Sequence, residues 1–210
     1  MIYPKQNRLI FWFFKWYVSR LVGKQFDELL FNAVEVDKNK SVLLIANHFS
    51  YWDSLILFWV NERAFKKKPH VMVLEKTMRK EWIIKYSGAF SVSKHSREII
   101  ESVNYAAELL NDSGNLVLIF PQGKLYPNFV EQVHFEKGIL KIIKQTSASF
   151  QLVFAATFVQ YFKHKKPKAT VYLKTENVNY ADKTINDLQE AYQQHYTASK
   201  QLQTEIDIEQ

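Results

Sequence analysis

Cysteine is absent from the 210 residues, which excludes a disulfide framework, a cysteine-ligated zinc or iron–sulfur site and a cysteine nucleophile. Glycine and proline number only five each; no low-complexity linker and no internal repeat is found. No stretch approaches the roughly 18 uninterrupted apolar residues that a spanning helix needs, so an integral multi-span protein is not expected. The six histidines show no H-x-x-H or H-E-x-x-H spacing, which leaves a metal site without support. No G-x-S-x-G elbow is present either, and this disfavours a serine hydrolase.

What is there suits one folded domain: 47% of the residues are apolar and 23% charged. The formal net charge of +7 favours an anionic partner. Charge and aromatic content together raise nucleic-acid binding as a rival function. Against it, only 5 of the 28 basic residues are arginine and no RNP, zinc-finger or KH signature appears, so no nucleic-acid partner is expected. Two lysine runs, Lys66-Lys67-Lys68 and Lys163-His-Lys-Lys-Pro-Lys168, read most simply as solvated loops, with phospholipid headgroups or an acidic carrier protein as the partners they would fit.

The N-terminus reads LIFWFF from Leu9 to Phe14, continues through Trp16, Tyr17 and Val18, and is punctuated by Lys5, Arg8, Lys15, Arg20 and Lys24. It lacks the uninterrupted apolar run and small-residue cleavage site of a secretory signal. Wound as a helix, it gathers Phe11, Phe14, Val18, Leu21 and Val22 on one side, with Arg8, Lys15 and Ser19 on another. Two readings fit: a helix lying in a membrane interface, or an amphipathic helix covering the domain's own core. Trp12, Trp16 and Tyr17 among the phenylalanines favour the first, with residues 1–30 as the interface segment and 31–210 as the main domain.

Beyond this segment, strand and helix patterns alternate. Ser41–Ala46, His70–Leu74, Ala89–Val92 and Asn115–Phe120 read as strands, with Gln151–Val159 and Ala169–Thr175 as late ones. Helices are expected from Asp53, over Ser96–Leu110 with Ser96 as cap, over Glu136–Thr146, and from Ile185 to about Leu202 with Thr184 as cap. This is an α/β domain: a mixed, largely parallel central sheet flanked by helices.

In such sheets chemistry sits in loops at the carboxyl ends of the strands. After the first buried strand comes Asn47-His48-Phe49-Ser50-Tyr51-Trp52-Asp53, and after the other Phe120-Pro121-Gln122-Gly123-Lys124. An imidazole and a carboxylate five residues apart across a strand-to-helix turn can meet. The carboxylate would take the Nδ1 proton, fix the tautomer and stabilise the imidazolium formed when Nε2 accepts a proton from a hydroxyl. The plainer alternative is a helix-capping Asp beside a hydrogen-bonded loop histidine. The second turn, with Lys124, could present N–H groups and a cation to an anion at the same sheet edge.

These loops resemble the lysophospholipid acyltransferases, the glycerolipid acyltransferases typified by 1-acylglycerol-3-phosphate acyltransferase, whose hallmarks are N-H-x-x-x-x-D and F-P-E-G-T. Asn47, His48 and Asp53 match the first, and Phe120, Pro121 and Gly123 the second. Phe135-Glu136-Lys137-Gly138 looks like the F-x-K-G element that follows, and Gly88-Ala-Phe-Ser-Val-Ser-Lys94 approximates an intermediate block ending in arginine. The resemblance runs from about Ala33 to about Thr175. It implies a membrane-associated enzyme on the cytoplasmic face that moves a fatty acyl group from acyl-CoA or acyl carrier protein to a lipid hydroxyl. It further implies His48 as general base, Asp53 as its partner and no separate cofactor. By the same resemblance Asn47, Pro121, Gln122 and Gly123 surround the acceptor, and a phosphate on it would need cations near His48, for which Lys94, Arg97, Lys124 and Lys137 are the candidates.

The departures lie in that acceptor region. Gln122 replaces the acid of the second hallmark, Lys124 its threonine, Leu125 a frequent arginine, and Lys94 the arginine of the intermediate block. An ammonium attracts phosphate without the bidentate fork of a guanidinium. A lysophospholipid acceptor is thus expected, with a phosphate-free lipid alcohol, or a non-catalytic lipid-binding relative, as alternatives.

Overall fold

The computed structural model describes residues 1–5, 7–93, 96–128 and 130–206, with Trp82, Ser96 and Arg97 described by their backbone alone. Ser96 as a helix cap therefore lies outside what is described, as does Lys94.

Seven strands form one sheet in the order β1-β7-β6-β2-β5-β3-β4: β1 Glu28–Phe31, β2 Ser41–Ala46, β3 Lys68–Leu74, β4 Phe90–Val92, β5 Asn115–Ile119, β6 Phe150–Gln160 and β7 Lys168–Glu176. Every neighbouring pair is parallel except β6 with β7. The helices are α1 Arg8–Gln25, α2 Asp53–Ala64, α3 Glu75–Lys80, α4 Ser96–Leu109, α5 Gly138–Gln145 and α6 Ile185–Thr204, with a 3-10 segment at Trp82–Ser87.

The buried strands are apolar on both sides because both faces are covered. Leu43, Ile45, Val117, Ile119 and Phe154 point into a core shared with α4, α5 and α6, while Val42, Leu44, Leu116, Leu118 and Val153 point into a second core under α1 and α2. The two-residue alternation of a strand thus feeds two hydrophobic layers. Thr184 caps α6 through a reciprocal box with Asp187, satisfying backbone donors that the first turn would leave open.

The N-terminal helix turns both of its faces to use. The side bearing Phe14, Val18 and Val22 is buried in the second core, Phe14 meets Phe58 of α2 edge to face at 5.2 Å, and Lys15 pairs with Glu62. Phe11, Phe14, Val18 and Val22, read from sequence as a lipid-facing side, are therefore core contacts: an aliphatic and phenylalanine stripe meets a second apolar layer there. The opposite side keeps Leu9, Trp12, Phe13 and Trp16 in solvent, at 80, 68, 45 and 52% exposure, and their spacing at i, i+3, i+4 and i+7 makes one continuous stripe. Asn7 caps the helix by accepting from the Leu9 and Ile10 N–H groups. Glu28–Phe31, which straddles the boundary placed at residue 30, pairs with β7 as an edge strand.

Two histidines are built into the frame. His70 on β3 faces Asn115, and His195 on α6 donates from Nε2 to the Tyr172 carbonyl at 3.0 Å. Burial is the main cause that lowers both to about 4.

Two predictions follow from this packing. Phe14→Ala should cost about 3 kcal/mol of unfolding free energy in urea titrations, whereas Trp12→Ser and Trp16→Ser should stay within about 0.5 kcal/mol. Because the unfolded histidines bind protons near pH 6.5 and the folded ones only near 4, stability should be complete above pH 6.5 and fall as pH drops toward 4. That loss should shrink when His195 is replaced by Gln; an unaltered pH dependence would contradict it.

Candidate active site

Ile45 pairs with Ile119 in the parallel β2–β5 ladder, so both strands end level and their following loops leave the sheet side by side. Asn47 holds the end of β2 to β6: its Oδ1 accepts from the Thr157 N–H at 2.8 Å and its Nδ2 donates to the Thr157 carbonyl at 3.0 Å. A buried side chain here stands in for a backbone rung and fixes where the loop begins.

The loop then wraps around Asp53, the first residue of α2, whose side chain has no solvent exposure. Oδ2 accepts from the Phe49 N–H at 2.7 Å, from the Ser50 N–H at 2.9 Å and from His48 Nδ1 at 2.9 Å. Oδ1 accepts from the Ser50 hydroxyl at 2.8 Å. The carboxylate therefore serves at once as the closing cap of the turn and as the partner of the imidazole. With Nδ1 donating, Nε2 is the nitrogen with a free lone pair. The His48 ring lies nearly parallel to Phe120, centroids 4.2 Å apart, so its plane is set by stacking as well as by the carboxylate.

The second loop is joined to the first. Gln122, 4% exposed, accepts the His48 N–H through Oε1 at 2.7 Å, and the Tyr126 N–H donates to the His48 carbonyl at 3.0 Å. Gly123 closes the turn at φ +66°, a left-handed backbone that favours glycine, and a Cβ there would lie 3.2 Å from Glu136 Cγ and press that side chain aside. The Glu136 N–H donates to the Pro121 carbonyl at 2.8 Å, bringing the third sequence element against the second.

A shallow, narrow cleft lies beside His48, lined among others by Asn47, Gln122, Tyr126, Asn128 and Tyr196. The stretch just after this lining is held from α6: Gln189 and Gln193 accept the Phe135 and Val133 N–H groups, each at 2.9 Å, and Gln193 donates to the Glu131 carbonyl. Nothing in the local sequence of a polar helix announces that role. Ser50 is the other residue whose part is seen only in three dimensions, although its place three residues before Asp53 is a turn signal.

Of the expected site residues, Asn47, His48, Asp53, Pro121, Gln122 and Gly123 come together. Lys124 lies at the rim, its ammonium 5.0 Å from the centre of the Tyr126 ring. Lys137 is exposed at the start of α5 and is not among the residues that line the cleft. Arg97 is described only as helix backbone. Among the described residues, no group of three or more metal-ligating side chains occurs.

The acyltransferase family model matches residues 31–159, more than half of the chain. The protein belongs to the acyltransferase family. In fold, this acyltransferase is similar to the crystal structure of PlsC, the 1-acyl-sn-glycerophosphate (LPA) acyltransferase from Thermotoga maritima, with a TM-score of 0.62 at 17% identity, over 90% of this chain and 78% of that one. No curated protein matches the acyltransferase by sequence.

The ties between the two loops predict a structural role for Gln122. Gln122→Ala leaves the His48 N–H without its acceptor and should lower stability by about 2 kcal/mol in thermal or urea unfolding. Lys124→Ala, at an exposed position, should not.

Proposed function

We propose that this acyltransferase moves a fatty acyl group from an acyl thioester, acyl-CoA or acyl carrier protein, to a hydroxyl of a lipid acceptor, with a lysophospholipid such as 1-acyl-glycerol-3-phosphate as the acceptor class. The observation that carries the reading is the His48–Asp53 pair at the mouth of the cleft, held at 2.9 Å with Nε2 left to act. His48 Nε2 takes the acceptor's hydroxyl proton as its oxygen attacks the thioester carbonyl. The tetrahedral intermediate then expels the thiolate, which recovers the proton from the imidazolium, and the products are an ester and a free thiol. Asp53 holds the ring and stabilises its transient charge, so no acyl-enzyme is required.

The exposed stripe of α1 supports docking on a membrane face, with Leu9, Trp12, Phe13 and Trp16 entering the interface. Among the described residues no helix is long and apolar enough to cross a membrane. Cytoplasmic placement on the bilayer gives such a site access both to the lipid alcohol and to a water-soluble thioester.

One observation favours a phosphate-free lipid alcohol instead: the described lining of the cleft carries amides, aromatic rings and His48 but no lysine or arginine. A panel of lysolipids and phosphate-free lipid alcohols, offered with either thioester and followed by thiol release, separates the two. Turnover with 1-acyl-glycerol-3-phosphate is the expected result; turnover only with a phosphate-free alcohol would redirect the acceptor. His48→Ala should lower turnover by about 10²–10⁴-fold with the fold preserved, and near-normal activity in that variant would overturn the assignment.

A further inference from the structure

The loop joining β6 to β7 carries Tyr161-Phe-Lys-His-Lys-Lys-Pro167, and neither the acyl-transfer site nor the core uses its charges. Ala46 pairs with Ala155, yet β6 continues to Gln160. The hairpin therefore projects about 16 Å past the end of β2, the strand that leads into His48, on the same edge of the sheet. Lys163, Lys165 and Lys166 are exposed on it, together with Tyr161 at 59%.

The hairpin is fastened to the end of α1. The Asp27 N–H donates to the Pro167 carbonyl at 2.9 Å, His164 Nδ1 lies 3.4 Å from Asp27 Oδ2, and Lys168 pairs with Glu28 at 3.0 Å. On α1 itself the exposed stripe of Leu9, Trp12, Phe13 and Trp16 continues through exposed Arg20 and Lys24 toward that junction. One surface thus changes along its length from aromatic to basic, ending in a loop of three lysines.

We propose that the β6–β7 hairpin is a second membrane contact that binds the anionic headgroups of a bilayer, orienting the His48 edge toward the lipid while α1 supplies the apolar insertion. The inference rests on the membrane-docked reading of the enzyme and adds to it a preference for anionic lipid. A lipid surface fits better than an acidic carrier protein, because the lysines stand at one end of the α1 surface whose other end exposes Leu9, Trp12 and Trp16. Such a pairing suits the boundary between headgroups and acyl chains. Lysines near an anionic leaflet each strengthen binding about fivefold, an effect that salt screens.

The test is co-sedimentation of the full chain with phosphatidylglycerol-rich and pure phosphatidylcholine vesicles, comparing wild type with the Lys163→Gln, Lys165→Gln, Lys166→Gln triple variant. The expected result is about a hundredfold loss of affinity for the anionic vesicles at low salt, with binding to the neutral vesicles and turnover of a water-soluble short-chain acceptor unchanged. Trp12→Ser with Trp16→Ser should weaken binding to both vesicle types. Equal binding of the triple variant and wild type to anionic vesicles would overturn the inference. So would a defect confined to carrier-protein donors, which would assign the lysines to that protein. If the wild type shows the lysine-dependent binding yet transfers no acyl group to any acceptor, the catalytic reading fails and the docking surface stands.

Discussion

Burying the Asp53 carboxylate at the start of α2 is tolerable only because its two oxygens accept four hydrogen bonds, from His48, Phe49 and both groups of Ser50. Those bonds also decide the conformation of the loop: the backbone must curl back over the helix start, and that curl sets the imidazole at the sheet edge. The orientation of the imidazole and the local folding are thus the same set of contacts. A lost carboxylate would free the ring and also open the turn.

The rest of the fold serves that turn. The level ends of β2 and β5 bring the second loop against the first, Gln122 ties the two at the His48 N–H, and Asn47 fastens the origin of the loop to β6. Gln122 makes this tie with the oxygen of a neutral amide, so an uncharged acceptor satisfies the backbone donor here. From the other face of the sheet, α6 steadies the stretch that follows the second loop, through Gln189 and Gln193.

Much of this was legible in the sequence for physical reasons. β2 and β5 are continuous apolar runs because both faces are covered, and the 3.6-residue stripe of α4 and the Thr184 box of α6 are local signals. The His48-to-Asp53 spacing reads correctly because both partners sit on one strand-to-helix turn, so their meeting depends on few intervening torsions. The α1 stripe misled because Phe14, Val18 and Val22 look alike whether they face lipid or a second protein layer; only the sheet's other core distinguishes them. β1 was missed because four residues at an edge, alternately exposed, give too short a pattern. The contacts of Tyr196, Gln189 and Gln193 join residues about 60 positions apart and leave no local trace.

The central claim is that Asp53 fixes the His48 ring with Nδ1 protonated and Nε2 bare. Nitrogen-15 NMR of the side chain, with His48 assigned by comparison with His48→Ala, reads this directly. The account predicts that the neutral ring is the Nδ1–H tautomer in the wild type and that Asp53→Asn reduces that preference. A neutral ring carrying its proton on Nε2 in the wild type would contradict it.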